Sequence, residues 1–319
     1  MDPEQFFAAS RLVIVAGKGG VGKTTVTAAM AVAASRAGRS VLVVEVEGKT
    51  GLATMFASPE LGYDDQVLRA ASEGARGAIV GRAISADQAL VDYLHDHGLR
   101  RLSGRLARTG VLDVVATAAP GIDDILVLGK VKQLERSGRH DLIILDAPAA
   151  GHAITFLQSA RGLLDAVSAG PINSQARDVQ ALLTDPSRCQ VILVTLPEET
   201  PVNELVETAY QLEDRVCVSL GPVVVNGCYP ALAGLGGDLA GAARASGAEV
   251  PAAELAQLRA AADFRLARTE LQAEQIARLA ERLPLPQLHL PLLFTSAIGP
   301  ADVDDLAGHL ASAVAAVPA

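Results

Sequence analysis

The 319-residue chain is poor in aromatic residues, which make up 3% of it, and it contains no tryptophan. Stacking on single-stranded nucleic acid needs aromatic side chains, and binding to a phosphate backbone needs an excess of positive charge. The chain instead carries 36 acidic against 27 basic residues, a formal net charge of −9. We therefore expect no nucleic-acid partner.

Cysteine is also scarce, with three residues at Cys189, Cys217 and Cys228. Their number is odd, their spacing is wide and no CxxC pair occurs, so the sequence indicates neither a disulfide framework nor a cysteine zinc site. The first residues have no signal-peptide pattern, and no apolar run reaches the roughly 18 residues that a membrane span needs. We therefore expect a cytoplasmic protein without an integral membrane segment.

The chain is rich, by contrast, in aliphatic residues, since half of it is hydrophobic. A β-branched run at residues 11–16 is followed by a glycine-rich loop, an alanine-rich segment at 23–36 and a second apolar run at 40–45. This order predicts a strand, a helix and a parallel strand, with a right-handed crossover. The expected fold class is α/β, with a doubly wound, mostly parallel sheet.

The rest of the chain divides into further strands and helices. Strands are predicted at 141–145, 190–195 and 222–225, and helices at 254–282 and 301–314. The segment from about residue 59 to residue 138 has helical periodicity, at 86–97 and 99–109, and little strand propensity. We expect this segment to be a helical insertion on one side of the sheet.

Residues 17–24, Gly-Lys-Gly-Gly-Val-Gly-Lys-Thr, match the phosphate-binding pattern G-x-x-x-x-G-K-[ST] between a predicted strand and a predicted helix. Glycines let backbone N–H groups converge on phosphate oxygens, and the helix N-terminus adds the positive end of its dipole. Lys23 can bridge the β- and γ-phosphates, and Thr24 can offer its hydroxyl to Mg²⁺. The residues expected to bind nucleotide here are Gly17, Lys18, Gly19, Gly20, Val21, Gly22, Lys23, Thr24 and Thr25.

A second lysine, Lys18, follows the first glycine of this loop. The pattern Gly-Lys-Gly-Gly-x-Gly-Lys-Thr resembles the deviant Walker A motif of the ArsA-like ATPases, which are relatives of the Min and Par ATPases. The resemblance spans nearly the whole chain, fits the bacterial single-half proteins of that group, and implies a dimer in which Lys18 reaches the partner's nucleotide. The alternative is that Lys18 is an exposed charge that adds solubility.

Two acidic residues, Glu45 and Glu47, mark the end of the second strand. Strand alternation places them on one face at the carboxyl end, where open parallel sheets bind ligands. The ArsA-like family usually has Asp-Pro-Ala-His at residues 47–50, and its aspartate orients the attacking water. The resemblance therefore assigns that role to Glu47, with Gly48, Lys49 and Thr50 departing from the family pattern. The alternative is that both glutamates are solvated charges.

The apolar strand that ends in Asp146 has the Walker B arrangement, in which a buried strand delivers one carboxylate toward Mg²⁺. The segment from Asp146 to His152 is similar to the family's Asp-Thr-Ala-Pro-Thr-Gly-His switch II. That resemblance implies that the backbone N–H of Gly151 senses the γ-phosphate. The expected cofactors are ATP and Mg²⁺, and the expected metal residues are Thr24 and Asp146.

Asn226 ends a hydrophobic strand, and its amide can pair with the Watson–Crick edge of adenine, as the family asparagine does. The Asn-Lys-x-Asp type of sequence with which GTPases read guanine is absent, because Gly227 and Cys228 follow. Adenine is therefore favoured, and the alternative is an asparagine in a turn. The segment Pro291, Leu292 and Leu293 looks like the family's adenine-flanking loop.

Together these motifs predict one P-loop ATPase domain over residues 1–319, with one nucleotide site. The expected activity is Mg²⁺-dependent ATP hydrolysis that opens and closes a homodimer, or a heterodimer with a paralogous ATPase. The resemblance implies an anion-transporting ATPase with an unidentified client protein or membrane partner. The expected catalytic residues are Lys18, Lys23, Glu47 and Asp146.

Two other functions stay open. The altered segment after Glu45 motivates a nucleotide-gated scaffold or assembly factor with negligible hydrolysis. A positioning ATPase of the Min or Par type is the other alternative, although the chain ends Ala-Ser-Ala-Val-Ala-Ala-Val-Pro-Ala rather than in the basic amphipathic helix that binds a membrane surface.

Overall fold

A computed structural model of the chain describes residues 1–46, 50–72, 77–96, 121–148 and 150–318. Its strands form one sheet of eight. They are β1 (Leu12–Gly17), β2 (Val41–Val46), β3 (Gln66–Arg69), β4 (Ile79–Ile84), β5 (Leu142–Asp146), β6 (Cys189–Thr195), β7 (Val223–Cys228) and β8 (Gln287–Pro291).

The strand order is β3-β4-β2-β5-β1-β6-β7-β8, and every neighbouring pair is parallel except β3 with β4. The chain leaves β1 toward β2 on one side of the sheet, and later strands continue on the other side from β6. The order therefore changes direction beside β1, and open α/β sheets bind ligands at such a point, at the carboxyl ends of the strands. The predicted fold class is confirmed.

Helices cover both faces of the sheet. They are α1 (Pro3–Phe6), α2 (Lys23–Arg36), α3 (Gly51–Met55), α4 (Ala86–Asp96), α5 (Ile122–Ser137), α6 (Ala150–Ala166), α7 (Pro171–Leu183), α8 (Glu199–Gln211), α9 (Leu239–Ala245), α10 (Ala252–Arg282) and α11 (Pro300–Ala316). A π-helical turn at Leu212–Val216 extends α8. Within the described ranges, no helix is both long and apolar enough to cross a membrane.

The core has two layers, one on each face of the sheet. Val13 and Val15 of β1 pack with α2 and α11, whereas Leu12 and Ile14 pack with α5, α6, α7 and α8. Helix α2 is buried over most of its length between the sheet and α11, and all its residues from position 26 to position 35 are buried. The phosphate loop therefore lies between the central strand and a fully enclosed helix.

The expectation of helix throughout residues 59–138 is wrong for its first part, because β3 and β4 lie there and extend the sheet beyond β2. Gly81 and Arg82 interrupt the apolar pattern of β4. A Cβ at Gly81 would approach Leu68 Cδ1 to 2.6 Å, so any larger residue there would displace the Leu68 side chain of β3. Arg82 is 5% exposed and pairs with Asp65 at 3.0 Å, which makes its burial tolerable.

The helical part of this segment contains α4 and α5, and α4 agrees with the helix predicted at 86–97. The helix predicted at 99–109 lies outside the described residues. The insertion is thus shorter than its predicted bounds on the N-terminal side, and its helices pack beside β4 and β5 rather than replacing them in the sheet.

Candidate functional site

The loop between β1 and α2 requires glycine for steric reasons. Gly22 is the N-cap of α2, with φ of 88°, and a Cβ there would lie 2.3 Å from Nδ2 of Asn226. At the start of the loop, a Cβ on Gly17 would lie 2.4 Å from the carbonyl oxygen of Val194 in β6. The backbone of the loop is therefore held close to the ends of β6 and β7.

The side chain of Lys23 folds back onto the loop and bonds to its backbone. Lys23 is the first residue of α2 and is 8% exposed. Its Nζ donates a hydrogen bond to the carbonyl oxygen of Lys18 at 3.0 Å. The ammonium group therefore lies across the loop whose N–H groups are predicted to bind phosphate. This position fits a lysine that contacts the β- and γ-phosphates of a bound nucleotide.

Thr24 and Asp146, the two residues predicted to hold the metal, are in contact. Thr24 Oγ1 donates to Asp146 Oδ2 at 2.7 Å, and Asp146 is fully buried at the end of β5, in register with Val15 of β1. A hydroxyl and a carboxylate are oxygen donors of the kind that Mg²⁺ prefers. These two oxygen donors fit Mg²⁺ that would take its remaining ligands from nucleotide phosphates and water.

Glu45 lies beside this pair, and its burial contradicts the alternative that it is a solvated charge. The residue is 1% exposed and is the Cα partner of Asp146 in the parallel pairing of β2 with β5. Residues in register on neighbouring strands point to the same face, here the face covered by α2. The side chains of Glu45 and Asp146 therefore leave neighbouring strands on the same face, and a bound cation would offset repulsion between their carboxylates.

Glu47 lies outside the described residues, together with Gly48 and Lys49. The chain on both sides of this gap adjoins the site. Glu45 precedes it in β2, and a Cβ on Gly51 after it would approach Thr24 Cγ2 to 2.9 Å. The role expected of Glu47 stays a prediction.

Two other residues predicted to bind nucleotide, Gly151 and Thr25, can be placed by their backbone. Asp146 is followed within a few residues by α6, which begins at Ala150, and Gly151 lies in the first turn of that helix. Thr25 lies in the first turn of α2 and is partly buried.

Lys18 is oriented away from Lys23 and toward α8. Its Nζ lies 2.7 Å from Oε1 of Glu204, and the two side chains are 49% and 31% exposed. No local sequence pattern signals this ion pair, because its partners are 186 residues apart and Glu204 is one of several acidic residues in its helix. Lys18 is therefore a half-exposed, paired cation at the surface of the loop.

The predicted base end of the site is assembled from β7, β8 and the loop. Asn226 Nδ2 donates to the carbonyl oxygen of Val21 at 2.9 Å, which ties the end of β7 to the phosphate loop. Pro291 pairs with Cys228, and the backbone N–H of Leu292 donates to the carbonyl oxygen of Cys228 at 2.7 Å. The structure thus brings Asn226 and the segment of Pro291, Leu292 and Leu293 to neighbouring strand ends.

Two cysteines near the sheet are held in their neutral form. Burial raises the pKa of Cys228 to about 11 and the pKa of Cys189 to about 12. Both thiols are therefore protonated at neutral pH, so neither supplies the thiolate that acts as a nucleophile. The side chains available for chemistry at the site are therefore its lysines, the Thr24 hydroxyl and its carboxylates.

Comparison with known proteins agrees with this geometry. The sequence profile of the anion-transporting ATPase family matches residues 10–169, which include the phosphate loop and Asp146. ATPase BagA of Mycobacterium tuberculosis is 34% identical over 300 residues, covering 88% of this chain and 87% of that protein. The chain belongs to the ArsA-like family. It is therefore a P-loop ATPase.

Two further relatives of this ArsA-like ATPase cover less of it. A protein of Halobacterium salinarum, named provisionally as an arsenical pump-driving ATPase, is 30% identical over 241 residues, 69% of this chain and 36% of that protein. The ATPase GET3 of Pyricularia oryzae is 28% identical over 152 residues, 46% of this chain and 43% of that protein. The ArsA-like ATPase thus shares its family with proteins that carry different functional names.

Proposed function

We propose that this ArsA-like ATPase binds ATP with Mg²⁺ in the loop at residues 17–24 and hydrolyses it as a dimer that opens and closes with the nucleotide. The observation that carries the proposal is the 2.7 Å contact of Thr24 with Asp146. It joins the start of the phosphate-loop helix to the strand end from which the chain continues to α6. This one contact therefore couples the phosphate loop to the segment after Asp146, which is the segment that would move with the nucleotide.

Within one subunit, each residue of the site has a distinct task. Lys23 and the backbone N–H groups of the loop would bind the phosphates, while Thr24, and Asp146 by way of water, would hold Mg²⁺. Bound Mg²⁺ would neutralise charge on the transferring phosphoryl group. Glu47 orients the attacking water, and the N–H of Gly151 contacts the γ-phosphate. Asn226 reads the adenine edge, beside the segment of residues 291–293.

Lys18 acts on the nucleotide of the partner subunit. The two lysines of the loop support this division, because Lys23 is 8% exposed and bonded within the loop, whereas the side chain of Lys18 is 49% exposed and oriented outward. A cation that reaches a neighbouring phosphate stabilises the charge that develops during transfer. To do so, Lys18 exchanges the carboxylate of Glu204 for phosphate oxygens.

The dimer is a homodimer or a heterodimer with a paralogous ATPase, and its movement is coupled to a client protein or a membrane partner. Support for the coupling comes from the family, whose description is anion-transporting ATPase. We place the client on the face of the sheet opposite α2, where α4 and α5 pack against each other.

Phosphate release by purified protein tests the shared-site dimer. Lys23→Ala should abolish turnover, and Lys18→Ala should lower it while the monomer still binds ATP. Mixing the two variants should give up to about a quarter of the wild-type rate above the residual rate of Lys18→Ala, because half of randomly paired dimers contain one complete site. Unchanged turnover in Lys18→Ala, or mixed dimers that form without regaining activity, would overturn the role of Lys18.

A nucleotide-gated scaffold is the second candidate. It is favoured by the departure of residues 47–50, Glu-Gly-Lys-Thr, from the family pattern of Asp-Pro-Ala-His. In that case ATP would drive dimer formation, measured by light scattering after gel filtration, while phosphate release stayed at the rate without protein. Phosphate release above that rate, lost in Lys23→Ala, decides for the ATPase switch.

A further inference from the structure

An exposed stack of two aromatic rings and a guanidinium group adjoins the base end of the site. The rings of Tyr229 and Phe294 have their centroids 6.0 Å apart with an interplanar angle of 39°. The guanidinium carbon of Arg265, in α10, lies 4.2 Å from the centroid of Tyr229 and 5.2 Å from that of Phe294. Three distant segments of the chain thus meet in one cation–π cluster.

Phe294 is the open member of this cluster. It is 74% exposed, the largest exposed fraction among the large hydrophobic residues of the described ranges, in a chain with six phenylalanines. Arg265 and Tyr229 are partly buried behind it. An aromatic side chain with this exposure has a π-face available for a ligand.

The cluster is firmly anchored. Gln272 of α10 is 6% exposed, accepts a hydrogen bond from the backbone N–H of Tyr229 at 2.8 Å and donates one to the carbonyl oxygen of Gly227 at 3.1 Å. Arg265 donates to the carbonyl oxygen of Pro230 at 2.8 Å. The loop after β7 is therefore fixed against α10, and the ring of Tyr229 is held in place.

The cluster follows the predicted base-reading residues on both strands. Tyr229 is three residues beyond Asn226 on the β7 side, and Phe294 is the residue after Leu293 on the β8 side. The hydrogen bond between Leu292 and Cys228 holds the two strand ends together. Asn226 is also bonded to the phosphate loop, so the strand end that precedes Tyr229 is tied to that loop.

We propose that Phe294, backed by Tyr229 and Arg265, is a stacking platform for the base of the bound nucleotide and strengthens binding of purine nucleoside triphosphates over pyrimidine ones. This inference rests on the proposed nucleotide site. An aromatic ring stacks on any base, but the larger purine ring system covers more of it. Asn226 would distinguish adenine by its edge, while the platform supplies affinity through the face of the ring.

Removal of the platform should weaken ATP more than a pyrimidine nucleotide. Phe294→Ala is expected to raise the KM for ATP about tenfold, the size of one lost base–aromatic stack, with a much smaller change in kcat. The Kd for UTP should change less than the Kd for ATP. Phe264→Ala is the matched control, since Phe264 is 64% exposed in α10 and is not part of the cluster.

A fluorescent variant reports the contact without hydrolysis. Because the chain has no tryptophan, Phe294→Trp introduces a single indole that can itself stack on a base. Its emission should be quenched by ATP, less by UTP, and not by inorganic tripolyphosphate, which fills the phosphate site without a base. The variant should also bind ATP as well as wild type, which Phe294→Ala does not.

The outcomes separate the platform from the site on which it rests. If calorimetry shows ATP binding that depends on Lys23 while Phe294→Trp emission stays unchanged and Phe294→Ala binds normally, the platform is overturned and the ATP site stands. If no variant and no wild-type protein binds ATP, the proposed function fails. Equal losses of ATP and UTP in Phe294→Ala would also overturn the purine preference.

Discussion

Lys18 and Glu204 form an ion pair within one chain, with 2.7 Å between Nζ and Oε1. The pair connects the phosphate loop to α8, so the lysine proposed to act on a partner already has a partner of its own. Both side chains are partly exposed, and such pairs contribute about 0–1 kcal/mol. The exchange of Glu204 for a phosphate therefore faces only a small free-energy cost.

Glu204→Gln should consequently differ from Lys18→Ala. The neutral amide can still accept from Lys18, so we expect turnover within about fivefold of wild type and a loss of unfolding free energy below about 1 kcal/mol. Phosphate release measures the turnover, and thermal unfolding measures the change in unfolding free energy. A Glu204→Gln protein as inactive as Lys18→Ala would show that the ion pair belongs to the active state.

Asp146→Asn should impair the response to Mg²⁺. The amide oxygen can still accept from Thr24, but the negative charge that favours a cation is lost. We expect the Mg²⁺ concentration for half-maximal turnover to rise about 10- to 100-fold, as for other residues that support a metal through a ligand. The Mg²⁺ dependence of phosphate release measures it.

Asp141→Asn is the control for this substitution. Asp141 precedes the same strand at its opposite end, where its carboxylate accepts from the backbone N–H and the hydroxyl of Ser40, each at 2.8 Å. The Mg²⁺ dependence should then match wild type. An equal shift in both variants would trace the effect to the strand rather than to the site.

Gly22→Ala should disrupt the loop without unfolding the protein. The left-handed backbone and the 2.3 Å approach to Asn226 leave no room for a methyl group, so the loop must move. A displacement of about 1 Å can cost about 100-fold in turnover. Gly38→Ala has the same backbone strain, with φ of 87°, but meets no atom within 4 Å. It should cost about 1–2 kcal/mol of stability and leave turnover unchanged.

Acid should weaken the attachment of α11. Asp304 in α11 accepts two hydrogen bonds from Arg69, both at 2.8 Å, and one from Arg36 at 2.6 Å. These bonds, those from Arg69 first, hold the pKa of Asp304 below its usual range. A lowered folded-state pKa stabilises the fold at neutral pH, and this stability is lost as the pH falls below about 4.

Asp304→Asn tests this dependence. We expect it to lower the free energy of unfolding by about 1 kcal/mol at pH 7, because the group is one-third exposed and screened. The difference from wild type should shrink as both are unfolded at progressively lower pH. A difference that is the same at pH 7 and at pH 3 would contradict the contribution of charge.

The sequence predicted the parts of this protein that depend on one segment of chain. The phosphate loop at residues 17–24 and the strand ending in Asp146 have local patterns, and a parallel sheet brings such strand ends together. The contact of Thr24 with Asp146 follows from these two facts. Asn226 is likewise a strand-end residue, and its position next to the loop follows from the order of the strands.

Other features depend on pairs of segments that carry no shared signal. β4 was not predicted because Gly81 and Arg82 interrupt its apolar pattern. Gly81 lies against Leu68 and Arg82 pairs with Asp65, and both of these partners lie elsewhere in the chain. The pairing of Lys18 with Glu204 is equally remote. Burial of Glu45 could not be predicted, because a glutamate near a strand end is solvated or enclosed according to the elements that pack over it.

Helix α2 links the chemistry of the loop to the most protected part of the molecule. Its residues 26–35 are buried, so we expect their amides to exchange with solvent mainly through global unfolding. Local fraying therefore cannot reach the first turn of α2 from within the helix. The phosphate-binding end persists for as long as the native state does, and slow hydrogen exchange along α2 would report the lifetime of the native state.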